Sequence, residues 1–139
     1  SDPAFQNLEA FLQSVPYIRY LGMRVEMAGD EMTAVLPFAQ HLIGNPMLPA
    51  LHGGVIGAFM EMTALAQLSL AQPERRVPKT IDITIEYLRP ARAQVSFARA
   101  NRRFGFLNEG FPQFPEFTPC RNLPASLIDD GEAQTQMFR

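Results

Sequence analysis

The run Leu51–Ala71, LHGGVIGAFMEMTALAQLSLA, limits the folds open to this chain more than any other segment. It is long enough for a helix of five turns and apolar all the way round, the pattern of a helix that must be covered on every side. Pro73 marks its end, and Glu61 is its only formally charged side chain when His52 is counted neutral. A carboxylate in such surroundings is costly unless it is paired or used. The segment opens on His52-Gly53-Gly54. A helix start offers unpaired N–H groups and the positive end of the helix dipole. One short segment thus combines an electrophile-activating end with a candidate base or nucleophile. Its length is near that of a membrane span, but the central Glu61, the polar Thr63 and Gln67 and the His-Gly-Gly start favour a buried core helix.

The rest of the chain supplies strands to cover that helix. Residues 4–13 place Phe5, Leu8, Phe11 and Leu12 at helical spacing, with Asp2 as a possible cap and Pro16 ending the helix. Residues 23–28 and 31–36 flank Gly29-Asp30 and predict a hairpin. Residues 37–51 hold Pro37, Pro46 and Pro49 and read as loop, with His41 a loop residue. Lys79–Leu88 alternates Ile81, Ile83, Ile85 and Tyr87 with mostly polar neighbours, a strand with one apolar face. Gln94–Ala100 reads as a further strand with Val95 and Phe97 on one face. Residues 104–119 differ: Phe111, Phe114 and Phe117 recur every three positions with Pro112, Pro115 and Pro119 among them. This excludes a central strand and suggests a polyproline-like or irregular segment.

The 139 residues make one domain, 1–139, of α+β class. Its 47% hydrophobic and 19% charged content is that of a globular chain. A net charge of −2 points to neither nucleic acid nor an anionic membrane as partner. Charge is unevenly placed, however. Residues 75–103 carry eight basic side chains, Arg89 and Arg92 among them, against Asp82 and Glu86. The stretch is either a solvated face or an anion-binding rim. Cys120 is the single cysteine, so a reducing compartment is expected, and no signal-like start is visible. Two histidines and one distant cysteine make no metal-site spacing, and neither a nucleophile elbow nor a phosphate loop occurs.

Asn45, Leu51-His52-Gly53-Gly54, an acid nine residues after the histidine, and the strand end Glu86-Tyr87-Leu88-Arg89-Pro90 together resemble the hotdog-fold acyl-CoA thioesterases, most nearly the small bacterial phenylacetate-pathway type. The resemblance is strongest over residues 15–100. It implies a long central helix wrapped by a curved antiparallel sheet, a cytoplasmic homodimer or homotetramer, an acyl-CoA or aryl-acyl-CoA substrate and no further cofactor. It also implies roles for single residues. Glu61 takes the place of the catalytic acid, as general base or nucleophile, where aspartate is frequent in that type. Gly53 is the oxyanion donor, His52 orients the thioester or the helix start, and Asn45 positions water or substrate. Helical spacing puts Gly54, Gly57 and Ala58 on one face with Glu61, where small residues leave space beside the acid, while Gly57 and Ala58 are above all close-packing positions. Met60 and Met62 belong to the core or the acyl pocket, and Arg89 and Arg92 are the residues expected to meet the nucleotide phosphates. The implied site lies between two subunits, with the His-Gly-Gly end from one and the acid from the other.

Read without the resemblance, Glu61 could instead be a structural buried acid paired with an arginine or a backbone group, and His52 a helix-start residue satisfied by backbone. Two other functions stay open. One is a hotdog hydratase or dehydratase, although the acyl-carrier-protein dehydratases place a histidine where this chain has Met47. The other is a non-catalytic acyl-CoA-binding or assembly module. The pattern departs from the family after about residue 100, where two more long strands are expected. A divergent tail or a change of reading frame over 101–139 is the expectation there, with helix and sheet edges left uncovered.

Overall fold

The computed structural model describes residues 3–29, 31–71, 79–87, 89–103, 114–118 and 131–138. The chain begins with helix α1 (Pro3–Ser14) and the short helix α2 (Pro16–Leu21). Pro16 ends the first helix as expected, but it also starts the second. Its fixed φ suits a first helical turn, where no N–H is needed. Gly22, at φ 75°, closes α2 in the left-handed conformation and donates its N–H to the carbonyls of Ile18 and Arg19.

Strands β1 (Arg24–Ala28) and β2 (Glu31–Leu36) form the predicted hairpin, paired from Arg24↔Val35 to Ala28↔Glu31. Gly29 turns the chain at φ 62°; Asp30 and the proposed cap Asp2 lie outside the described residues. The stretch read as loop contains a 3₁₀ turn (Gln40–Leu42) and a small antiparallel pair, β3 (Ile43–Asn45) with β4 (Ala50–Leu51). Helix α3 (Gly53–Ala71) follows where the apolar run places it. Next come β5 (Lys79–Tyr87), β6 (Ser96–Arg103), β7 (Phe114–Thr118) and β8 (Gly131–Phe138).

Six strands make one antiparallel sheet in the order β1-β2-β6-β7-β8-β5. Helix α3 packs against it, touching β2, β5, β6, β7 and β8. Phe59, Thr63 and Ala64 are fully covered, while Leu8 and Leu12 of α1 and Ile18 and Leu21 of α2 close the core from outside. Thr63 spends its hydroxyl on the Phe59 carbonyl one turn back, at 2.7 Å, so this buried polar group is satisfied. The described part of α3 is apolar and long enough to cross a membrane, and here its apolar residues serve as core.

Three expectations need correction. The first concerns β6. Its core-facing residues are Ser96, Ala98 and Ala100, whereas Val95 and Phe97 are only partly covered. Small side chains on this strand let the helix approach the sheet closely, and hydrophobic size alone points to the wrong face. The second concerns the tail. Phe114–Thr118 is an internal strand despite Pro115, and Gly131–Phe138 runs the length of β5, from Lys79↔Phe138 to Tyr87↔Gly131. The sheet is therefore not cut short after β6. Strand β7 pairs along its whole length with β6 but meets β8 in the ladder at Glu116↔Gln134 alone. Pro115 itself lies opposite Arg102 in the β6 ladder. Phe111, Pro112 and Pro119 lie outside the described residues. The third concerns α3, which is not covered on every side in the single chain. Gly57, Ala58, Glu61, Met62 and Leu65 form a half-buried stripe at helical spacing.

Candidate active site

The start of α3 is held from several directions. Leu51 N–H donates to the Ala91 carbonyl (2.9 Å) and His52 N–H to the Leu42 carbonyl (2.8 Å), which ties the chain to the segments on either side. Gly44 lies directly against this strap. A β-carbon there would come within 2.5 Å of His52 Cα, so only glycine allows the two backbones to pass.

His52 is the N-cap of α3. Its carbonyl accepts from Val55 N–H (3.0 Å) and Ile56 N–H (3.2 Å), and its Nδ1 accepts from Gly54 N–H (2.9 Å). The ring therefore uses Nδ1 as an acceptor. The sequence alternatives for His52 merge here: it is a helix-start residue satisfied by backbone, and it also faces the pocket. Gly54 N–H is consumed by this cap. Gly53 N–H has no partner among the described residues. The His52 carbonyl in the same peptide unit takes two hydrogen bonds, which polarises that N–H further.

Gly53 opens onto a cavity of about 470 Å³, also lined by Asn45, His52, Ile56, Tyr87 and Arg89. That size is within the range for small-molecule sites. Leu48, Ala50, Leu51 and Ala91 give it apolar walls. Asn45 stands at its edge with Oδ1 engaged, accepting from Met47 N–H at 2.9 Å in a local turn at Pro46. Its amide N–H₂ is left as the group to meet a ligand.

Of the residues singled out in the sequence, the structure gathers Asn45, His52, Gly53 and Arg89 around one cavity. Gly54, Arg92 and Glu61 are not among the cavity walls. Gly54 supports His52. Arg92 is exposed, and its backbone forms a bridge with Ala50. Gly57 does not leave open space: a β-carbon there would meet Ile85 Cδ1 at 2.9 Å, so β5 fills that gap. His41 is no ligand either, for its Nε2 meets the Tyr20 carbonyl at 2.8 Å. Glu61 lies half-buried in the middle of α3, and among the described residues its carboxylate has neither an ion pair nor a hydrogen bond. The reading as a structural acid paired with arginine thus finds no partner there.

Two residues of the site were not picked out as functional, Gly44 and Tyr87. Tyr87 O–H donates to the Gly53 carbonyl at 2.8 Å, and the ring lies against Gly53. The alternation Ile81, Ile83, Ile85, Tyr87 already puts it on the helix-facing side of β5.

Comparison with known proteins finds similarity to thioesterases in sequence and in fold. The model of the thioesterase superfamily matches residues 48–101, the part of the chain that carries the helix start, Glu61, β5 and most of β6. A medium/long-chain acyl-CoA thioesterase of Escherichia coli, YigI, is 31% identical over 102 residues, covering 62% of this chain and 64% of that protein. The fold matches a thioesterase structure from Haemophilus influenzae with a TM-score of 0.73, at 21% identity over 99% of this chain and 90% of the other. The fold is the hotdog fold of these thioesterase structures. A Pseudomonas aeruginosa protein, 26% identical, matches the hotdog chain over 99% of both with a TM-score of 0.72. That match spans the tail as well, in line with β7 and β8 completing the sheet.

Proposed function

We propose that the chain hydrolyses acyl-CoA or aryl-acyl-CoA thioesters at a site assembled from two copies. The observation that carries this is the Gly53 N–H, without a partner among the described residues, at a helix start that opens onto the cavity. Attack on a thioester builds negative charge on the carbonyl oxygen, and a pre-aimed backbone donor stabilises that charge most at the transition state. Glu61 acts on the other side of the carbonyl, as general base on water or as nucleophile.

One helix cannot bring both groups to one carbonyl. Gly53 and Glu61 are eight residues apart on α3, about 12 Å along its axis at helical rise. A reacting carbonyl must lie roughly 3 Å from each. Two copies related by a two-fold axis meet the requirement, since the helix start of one can face the middle of the helix of the other. The half-buried stripe containing Glu61 is the surface such a partner would cover. Strand β5 is an end strand of the sheet, so two copies can join there. Arg89 lines the cavity, which supports a role for it in meeting a coenzyme A phosphate, while Arg92 would reach it only from outside the cavity.

The test is release of free thiol from acyl-CoA and aryl-acyl-CoA thioesters of graded chain length. Turnover supports the proposal. Tight binding of the thioester without turnover would instead make the chain an acyl-CoA-binding module.

A further inference from the structure

Gly53-Gly54 is a poor way to begin a helix. Each glycine is less favourable than alanine in a helix, because the unfolded backbone has so much freedom to lose. A donor mounted on such a pair would swing unless something fixed the peptide planes on both sides of it. The plane before Gly53 is fixed by the helix itself, through Val55 and Ile56 N–H on the His52 carbonyl. The plane after it is held at both ends by side chains. Its N–H, on Gly54, donates to His52 Nδ1, and its carbonyl, on Gly53, accepts from Tyr87 O–H.

We propose that Tyr87 is a positioning residue for thioester hydrolysis: its hydroxyl pins the Gly53–Gly54 peptide and so aims the Gly53 N–H into the cavity. This rests on the reading of Gly53 as the oxyanion donor. Burial does not force the hydrogen bond, because Tyr87 is 56% exposed and water could satisfy its hydroxyl. The strand delivers the ring to this spot. Ile85 fills the space over Gly57 and Tyr87, two residues on, covers Gly53. A β-carbon on Gly53 would lie 3.4 Å from the Tyr87 ring, ordinary contact. The ring is thus a wall, and the hydroxyl is a separable addition to it.

Tyr87→Phe removes the hydroxyl and keeps the wall. For thioester hydrolysis the expected result is a kcat lowered about tenfold with KM within about twofold of the parent, the signature of a misaimed group that acts at the transition state. Thermal midpoint should stay close to the parent's. Amide hydrogen exchange at Gly53 and Gly54, followed by NMR without substrate, should quicken several-fold. An unchanged kcat together with unchanged exchange would overturn the proposal. So would a raised KM at unchanged kcat, which would make Tyr87 only part of the binding wall. If the parent protein hydrolyses no thioester, the proposed function fails on its own. The exchange measurement then still decides the pin: faster exchange in the variant supports it, and unchanged exchange overturns it.

Discussion

Glu61→Gln is expected to abolish most thioester turnover while leaving the fold intact. The substitution preserves volume and hydrogen-bonding shape but removes the ability to take a proton or to attack. General-base catalysis of this kind contributes roughly 10²–10⁴-fold to rate, so residual activity should fall to about 1% or less. Stability should hardly change. Glu61 is only half-buried and has no ion pair or hydrogen bond among the described residues, so glutamine removes no structural contact visible there. Substitutions of that sort usually stay within about 0.5 kcal/mol. The check is kcat by thiol release, beside a thermal melt of the same preparation. Full activity in a correctly folded variant would remove Glu61 from the mechanism.

Gly53→Pro should have the second large effect, by deleting one hydrogen atom's worth of chemistry. Proline has no N–H, yet it suits the first position of a helix, where its fixed φ is already helical. The helix start should survive, and the oxyanion donor should not. Loss of one such donor costs about 2.7–4 kcal/mol of transition-state stabilisation, roughly 10²–10³-fold in kcat. Gly53→Ala is the control, because it keeps the N–H and its β-carbon meets the Tyr87 ring at an ordinary 3.4 Å. Alanine should therefore retain most activity where proline loses it. Equal losses in the two variants would mean that Gly53 matters for space and not for its N–H.

Much of this site could be read before any coordinates. The limits of α3 follow from a hydrophobic run that starts at a histidine cap and ends before Pro73, and those signals are local. The same is true of the β1–β2 hairpin, which Gly29 sets. What the sequence hid is what depends on partners far along the chain. Ser96, Ala98 and Ala100 face the core because a helix must come close to them, and periodicity of large side chains cannot reveal that. Strand β7 takes an internal place despite Pro115 because β6 and β8 pair with it from either side, which the segment alone does not reveal. Gly57 reads as a close-packing position, but that Ile85 of β5 is what packs there is visible only in the fold. Gly44 and Tyr87 lie 8 residues before and 35 residues after His52 in the chain, and only the fold brings them to it.

The central claim is that Gly53 of one copy and Glu61 of another act on the same carbonyl. Co-expressing Glu61→Gln with Gly53→Pro tests it directly. Each variant alone should be nearly inactive. In a random mixture about half of the two-fold dimers are mixed, and each mixed dimer has one site with both lesions and one with neither. Activity should therefore recover to about a quarter of the parent value in the co-expressed protein, given two-fold pairing. If both groups came from one chain, each site in the mixed dimer would keep one lesion. Activity that stays at the level of the single variants, with mixed dimers demonstrated by mass spectrometry, would contradict the account.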